Sequence, residues 1–434
     1  MRIFYSLSFL FILLILVRIG STITLPLVDR SESRYAVMAK NMAVSGDFVK
    51  PTFVHDRVSQ TFMGKPPLLF QLGGLVCKVF GVSAFAVRLP SLLAAGLTLL
   101  LIFIFTHQIK AVIICTTSIG FFLFSGICMT DMLLTLAVCG TLLMFLSWQK
   151  RNCVWKALGC ALFISIGFLS KGPVILFLTG LPILLWTILH RKIRNTLRFH
   201  WLIALIFFLL LTIPWFVLIE QAEPGSLHYF FFNENFGRFV SHDYGDRYGA
   251  GREAFNGVSI LWFLLLSAPW CLLLIHHYKQ IDFRSLPVLG ILCIVGFWCL
   301  TSRVPLAYLL PTVPLTALVV SEHVTRGYKV FATTAAVSFI FLCVSFTVIA
   351  PYTIDKFPAR FYKALPPNMT VQFSETAPYS AEFYLGNRVR YNNEAADLLL
   401  IRARKYKRAT GLEEYKPLIQ RYRWVALLKK DVSL

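Results

Sequence analysis

The sequence predicts an all-α polytopic membrane protein of about eleven transmembrane helices, with interfacial helices in the first outer loop and a small C-terminal α/β domain. Three observations predict it. Of the 434 residues, 57% are hydrophobic and only 15% are charged, against roughly 25% charged in a soluble domain. Apolar runs long enough to span, about 20 residues each, recur over most of the chain. The short polar stretches between them alternate between bare Lys/Arg clusters and segments richer in acids, the asymmetry of a chain with two distinct membrane faces.

The runs fall at about 3–25, 88–106, 110–129, 131–148, 154–170, 172–190, 201–219, 257–276, 285–301, 305–321 and 329–350. In the first, Met1-Arg2 precedes Ile3 to Val17 and Arg18 interrupts the apolar stretch with no clean small-residue cleavage site. We read it as a retained span, not a cleaved signal. The runs that begin at 172, 285 and 305 contain Pro, which spanning helices tolerate when neighbours satisfy the freed carbonyl.

Orientation follows from the short loops. With the N-terminus inside, the cytoplasmic loops carry His107/Lys110, Lys150/Arg151/Lys156, Arg191/Lys192/Arg194/Arg198, Lys279/Arg284 and Arg326/Lys329, with Asp282 and Glu322 as their only acids. Positive loops stay inside. Outside then lie a long loop at about 26–87, a second at about 220–256, and the chain from about 351. The domain reading is 1–350 for the membrane-embedded part and 351–434 for a small non-cytoplasmic α/β domain. In the first loop, Ser31–Met42 reads as a helix capped by Ser31 or Ser33, and Leu68–Phe80 as an apolar helix too short to span. In the C-terminal part, Thr370–Phe373, Leu398–Ile401 and Trp424–Leu428 read as strands, and Ser380–Leu385 and Glu413–Gln420 as helices.

Composition also excludes function classes. The net charge of +21 is explained by cytoplasmic anchoring and by anionic lipid headgroups, so nucleic acid is not an expected partner. Of the ten cysteines, nine lie in or beside apolar runs from Cys115 to Cys343, and only Cys77 sits in the first loop. They read as small buried hydrophobes, not a disulfide framework.

The chemistry-bearing residues sit at the outer ends of spans. Asp29-Arg-Ser-Glu32-Ser-Arg34-Tyr35 opens the first loop. It is either a salt-bridged helix cap or a general base beside a phosphate-binding Arg. In Gly64-Lys65-Pro66-Pro67 the prolines end any helix and fix the Lys, an interface anchor or a phosphate contact. Asp131 lies where one apolar run gives way to the next, as an N-cap or a functional acid. Ser170-Lys171-Gly172-Pro173 is a second Lys at an outer turn. The second loop offers Glu234, Asn235 and Arg238 among aromatics, with Glu234 and Arg238 one helical turn apart. Arg303-Val-Pro305-Leu-Ala-Tyr308 opens the tenth span. All these segments fall on one side, giving an outer-face cavity where carboxylates take protons and cations steady a departing phosphate. A transporter or lipid flippase is the alternative. It calls for repeats and midplane charges, which the sequence lacks.

The ordered set of segments resembles the integral-membrane glycosyltransferases of the GT-C superfamily, and within it the protein O-mannosyltransferase and lipid A aminoarabinose transferase group. The resemblance rests on Glu32-Ser-Arg34-Tyr35-Ala36, Gly46-Asp47-Phe48-Val49-Lys-Pro51, Lys65-Pro66-Pro67-Leu68, Phe85 with Arg88-Leu89-Pro90-Ser91, Asp131, Lys171-Gly172-Pro173, Glu234-Asn235-Phe-Gly-Arg238-Phe239 and Arg303-Val-Pro305-Leu-Ala-Tyr308. It covers about residues 20–320.

The resemblance implies inverting transfer of a sugar from a polyprenyl-phosphate-linked donor, within the cytoplasmic (inner) membrane and on its outer face, to a lipid A, glycan or protein acceptor. It implies a catalytic set of Asp29, Glu32 and Asp131, with the base at Asp29 or Glu32. A donor-phosphate set of Arg34, Tyr35, Lys65, Lys171, Arg238, Arg303 and Tyr308 accompanies it. The chain departs from the group at Ser31, where relatives carry Asp. It departs again at Gly64 and Asn235, where aminoarabinose transferases carry Glu and His. Those two are the natural candidates for zinc ligands in that group, so no metal or other cofactor is expected here. His228 and His242 lie in the same loop, but off the matching position.

Overall fold

A computed structural model describes residues 2–55, 58–196, 198–237, 248, 255–301, 303–323, 328–349, 358–391, 394–421 and 424–432. The chain is all-helical through its membrane part and ends in a small β-rich region. It divides into two compact units: Met1–Arg18, Met63–Leu69 and Arg88–Cys343 form the first, and Ile19–Phe62, Phe70–Val87 and Val344–Leu434 the second.

The helices before residue 226 are α1 (Arg2–Thr24), α2 (Ser31–Ser45), α3 (Leu68–Phe80), α4 (Ala84–Thr106), α5 (Ile109–Thr117), α6 (Ile119–Phe124), α7 (Thr130–Lys150), α8 (Val154–Lys171), α9 (Val174–Leu189), α10 (Ile193–Thr196) and α11 (His200–Ala222). A turn at α12 (Ser226–His228) runs into a π-helix, Tyr229–Gly237. Then follow α13 (Val258–Ser267), α14 (Cys271–His276), α15 (Leu286–Cys299), a 3₁₀ turn Leu306–Leu309, α16 (Thr312–His323) and α17 (Tyr328–Val344). Among the described residues, five helices are long and apolar enough to cross a membrane: Ala84–Thr106, Thr130–Lys150, Val154–Lys171, His200–Ala222 and Phe331–Val348.

In the first unit α7 is the central helix, with 83% of its apolar window buried, against 22% for α11. α11 exposes Leu205, Ile206, Leu209 and Leu210, a continuous apolar surface that suits lipid and not water. α7 packs along α8, and α8 along α11. The α7–α8 approach is close because Gly140 has no side chain: a Cβ there would stand 2.5 Å from the Phe163 ring. Arg18, the charge that interrupts the first apolar run, is satisfied internally. Its Nε donates to Ser125 Oγ at 3.1 Å, its Nη2 to Leu123 O at 2.7 Å, and it lies over the Phe122 ring.

Two runs that read as continuous spans are broken. The run 110–129 breaks at Ser118, whose backbone is extended with ψ 135°. The run 257–276 breaks at Ala268-Pro269, because Pro lacks the N–H that helix continuation needs. The breaks meet: Ile119 N donates to Ala268 O at 3.1 Å, and Trp270 Nε1 donates to Thr117 Oγ1 at 3.0 Å. Polar groups freed by one break are thus paired with the other, as an apolar medium requires. Pro305 likewise starts the tenth run as a 3₁₀ turn before α16 begins.

The second unit holds helix α2, the hairpin of β1 (Thr52–His55) and β2 (Val58–Thr61), and the C-terminal elements. The latter are α18 (Pro358–Tyr362), β3 (Val371–Phe373), α19 (Tyr379–Leu385), β4 (Val389–Arg390), β5 (Leu398–Arg402), α20 (Ala403–Tyr406), β6 (Tyr415–Arg421) and β7 (Trp424–Lys429). The sheet order is β4-β3-β5-β7-β6, with β3 parallel to β4 and β5, and β7 antiparallel to β5 and β6. Val371, Leu398, Leu400, Ala426 and Leu428 bury one face, and Ile401, Val425 and Leu427 the other.

The three expected strands and the helix near Ser380 are present. The helix expected at Glu413–Gln420 is instead strand β6. Pro417 explains the outcome: it denies a helix its hydrogen bond, yet fits an edge strand, and the register shifts between Pro417 and Ile419.

Candidate active site

The first unit gathers five of the sequence-predicted segments. Asp131 sits in the first turn of α7 and is fully buried. It is not the N-cap; Met129 holds that position and makes no side-chain cap bond. Lys171, the last residue of α8, is also buried and forms an ion pair with Asp131 Oδ1. The other Asp131 oxygen, Oδ2, has no hydrogen-bond partner. Lys171 Nζ also lies 3.6 Å from the centre of the Tyr308 ring, a close cation–π contact. Tyr308 packs on Trp298 at 4.6 Å. The Lys65 charge acts on both Asp131 and Lys171. Two cations, one carboxylate and a phenol ring thus share a region inside apolar helices, where the low dielectric strengthens each interaction.

Gly172 follows Lys171 with φ +85°, a left-handed conformation that Gly adopts without strain. A Cβ there would also strike Phe230, at 2.5 Å from its ring. Gly-Pro at this turn therefore seats the aromatic segment against the end of α8. That segment brings in Glu234, which meets Tyr229 OH at 3.5 Å, and Asn235, whose Nδ2 donates to Phe230 O at 2.7 Å. Gly64, Lys65, Lys171, Val174, Phe230, Glu234, Asn235, Trp298 and Tyr308 line one cavity of about 50 Å³, room for a few waters or a small anion. Ser91 Oγ, of the Arg-Leu-Pro-Ser segment, donates to Met129 O at 3.5 Å across 38 residues and buttresses the start of α7. Arg303 N donates to Thr301 Oγ1 at 3.3 Å. Arg238 and His242 lie outside the described residues.

The first-loop residues form a separate cluster within the second unit. Burial pushes the Asp29 carboxyl above the ordinary aspartate value, against hydrogen bonds that pull it down. The largest of those come from Ser380, whose N donates to Asp29 Oδ1 at 2.9 Å and whose Oγ donates to Oδ2. Glu32 is buried, and its Oε2 accepts the Val28 N–H at 2.8 Å. Neither Ser31 nor Ser33 caps α2; its N-cap is Arg30, with no side-chain cap bond. The Glu32 carboxylate does the nearest equivalent work by taking an N–H ahead of the helix. The Arg34 guanidinium carbon stands 5.1 Å from the Phe62 ring centre and 5.8 Å from that of Tyr379. Tyr35 is buried against Phe62 and Phe70.

Gly46-Asp47-Phe48-Val49 is a structural turn. Gly46 ends α2 in the left-handed conformation at φ 76°. Asp47 Oδ1 then accepts the N–H groups of Val49 and Lys50. Sequence reasoning missed Trp298 and Ser380 altogether. Each sits in a run that reads as ordinary core or helix, with no local signal of a distant partner. Among the described residues, no group of three or more His, Cys, Asp or Glu side chains is placed to hold a metal ion.

Comparison with known proteins agrees with this architecture. Residues 64–217 match the dolichyl-phosphate-mannose-protein mannosyltransferase family. The undecaprenyl phosphate-alpha-4-amino-4-deoxy-L-arabinose arabinosyl transferase of Aeromonas hydrophila is 30% identical over 228 residues, 50% of this chain and 41% of that enzyme. The enzyme of the same name from Shewanella sediminis is 26% identical over 344 residues, 75% of this chain and 61% of that enzyme. The chain thus spans about half the length of these relatives. A crystal structure of ArnT from Cupriavidus metallidurans bound to undecaprenyl phosphate superposes with a TM-score of 0.78 at 16% identity, covering 97% of both chains. The apo structure of that protein gives 0.78 at 15% identity, covering 98% of both.

Proposed function

We propose, from a GT-C-like fold, similarity to the arabinosyl transferases and a mannosyltransferase-like segment at residues 64–217, that the chain transfers a sugar from a polyprenyl-phosphate-linked donor to an acceptor hydroxyl or phosphate. The observation that carries this reading is the cavity where Lys65, Lys171, Tyr308 and Glu234 converge inside apolar helices. A buried Lys171 with the half-buried Lys65 beside it carries more positive charge than Asp131 alone balances, which is costly in such a medium unless a further anion is to be met there.

The reaction this reading assigns is an inverting displacement. A first-loop carboxylate takes the acceptor proton, the acceptor oxygen bonds to the anomeric carbon, and the bond from that carbon to the phosphate oxygen breaks. The phosphate leaves with the electron pair and its new charge. Asp29 is assigned as the base: burial pushes its carboxyl above the ordinary aspartate value, and Glu32 is committed to the Val28 N–H ahead of α2. Lys65, Lys171, Arg34, Arg238 and Arg303 are assigned to the donor phosphate, with Tyr35 and Tyr308 beside them. Asp131 is assigned to holding Lys171 charged and in place, and Glu234 and Asn235 to the wall of the cavity. The acceptor is a lipid such as lipid A, a glycan or a protein.

The same reading places about eleven spans in the cytoplasmic membrane, with residues 1–350 as the embedded part and 351–434 as a small outer domain. A reporter active only in the cytoplasm, fused after Leu434, is expected to be silent. An active reporter would mean a wrong span count and an inverted site.

Donor handling gives the direct test. In the purified protein, Lys65→Ala is expected to raise the KM for a polyprenyl-phosphate sugar roughly tenfold or more, since a charge-assisted contact to an oxyanion is lost. Turnover at saturating donor should fall less. An unchanged donor dependence would assign Lys65 to anchoring at the membrane surface.

A further inference from the structure

Five nearly consecutive residues of α19 grip the first loop. Tyr379 stands beside Arg34, at 5.8 Å. Ser380 donates from both N and Oγ to Asp29. Glu382 Oε2 accepts the Val54 N–H at 3.2 Å. The main-chain oxygens of Glu382 and Phe383 accept Lys40 Nζ at 3.0 and 2.9 Å. Tyr384 OH accepts the Leu27 N–H at 2.9 Å. Ser380 is fully buried, so water does not compete for its hydroxyl. Each oxygen of Asp29 receives one donor, which fixes the plane of the carboxylate.

We propose that Ser380 is a positioning residue for the transfer reaction, holding the Asp29 carboxylate in one orientation, so that the C-terminal region forms part of the first-loop site. The proposal rests on the glycosyltransferase reading with Asp29 as base. A carboxylate locked through both oxygens keeps its remaining lone pairs in a fixed direction, the geometric demand on a general base. Ser380 also stabilises the ionised form. The titratable groups facing Asp29 are Glu32 of α2, whose charge pushes its proton affinity up, and Tyr362 of α18. Burial and the Asp29 charge both push the Tyr362 phenol up, so it stays neutral while Asp29 titrates.

The test is the pH–rate profile of the purified full chain carrying Ser380→Ala or Ser380→Thr. In Ser380→Ala the backbone N–H bond remains and the hydroxyl bond is lost. The acid limb is expected to move up by roughly one pH unit. Turnover at its optimum should fall roughly tenfold, with the donor KM within about twofold of wild type. Ser380→Thr, which restores the hydroxyl, should return the limb to its wild-type position. Should Ser380→Ala not insert, Ser380→Cys offers a weaker donor of similar size and should move the limb in the same direction by less.

An active wild type whose acid limb stays put in these variants would overturn the assignment and leave Ser380 a structural prop. A wild type that transfers no sugar from a polyprenyl-phosphate donor would overturn the glycosyltransferase reading, and this assignment with it.

Discussion

Asp29→Asn is expected to reduce transfer by roughly 10²–10⁴-fold, the worth of a positioned general base, while the protein still folds and inserts. Asn is nearly isosteric, its Oδ1 still accepts the Ser380 N–H, and the Ser380 hydroxyl can turn to accept from the new amide. The wild-type pH profile should carry the same signature. Because burial raises the Asp29 pKa, activity should fall as pH drops through a value above the ordinary carboxylate range of about 4. Protonation there removes the lone pair that accepts the acceptor's proton.

The companion variant is Glu32→Gln. Its amide oxygen still takes the Val28 N–H that Glu32 Oε2 takes now, so the start of α2 should survive and the loss should be the smaller of the two. Rates of sugar transfer by both purified variants, with folding checked by thermal unfolding, decide the matter. Full activity in both would remove the first loop from the proton-transfer step, and a deeper loss in Glu32→Gln would exchange the two roles.

The second large effect concerns Asp131 and Lys171. Both are buried, and each is the other's ion-pair partner. Removing one partner strands a charge in an apolar bundle, which costs about 3–5 kcal/mol. Asp131→Leu and Lys171→Met alone are therefore each expected to lower the thermal unfolding temperature sharply. The double variant should recover most of that loss, because replacing both members of a buried pair by apolar groups is often neutral or stabilising. Transfer activity should not recover, since the cation assigned to the donor phosphate is still absent. Measuring stability and activity in the four-protein cycle separates the two roles. A double variant as active as wild type would make the pair purely structural.

The catalytic candidates were legible to unequal degrees. Lys65, Asp131, Lys171 and Tyr308 stand out in sequence because charges and ring hydroxyls at the ends of apolar runs need a reason to be there. Gly46-Asp47 and Arg-Leu-Pro-Ser stood out equally, and they are a helix stop and a buttress. Sequence prominence therefore marked the residues of the buried cluster and scaffolding residues alike. Strand β6 misled for a related reason. The run 413–420 opens on Glu413 and Glu414 ahead of Lys416 and resembles an exposed helix, and only pairing with Trp424–Lys429 makes Tyr415–Arg421 a strand.

By itself the sequence determined the membrane class, the order of the helices and the short apolar helix at Leu68–Phe80. These follow from local composition, from Pro, and from the length of apolar runs, all of which act over a few turns of chain. Only the tertiary structure decided which charges meet. Lys171 reaches Asp131 across 40 residues, and Ser380 reaches Asp29 across 351. The sequence also left the two broken spans looking continuous, where the structure has them complete each other's hydrogen bonds. Such pairings cost no local pattern and leave no local trace. They are fixed by how helices pack, and packing is set by the sum of many small contacts over the whole unit.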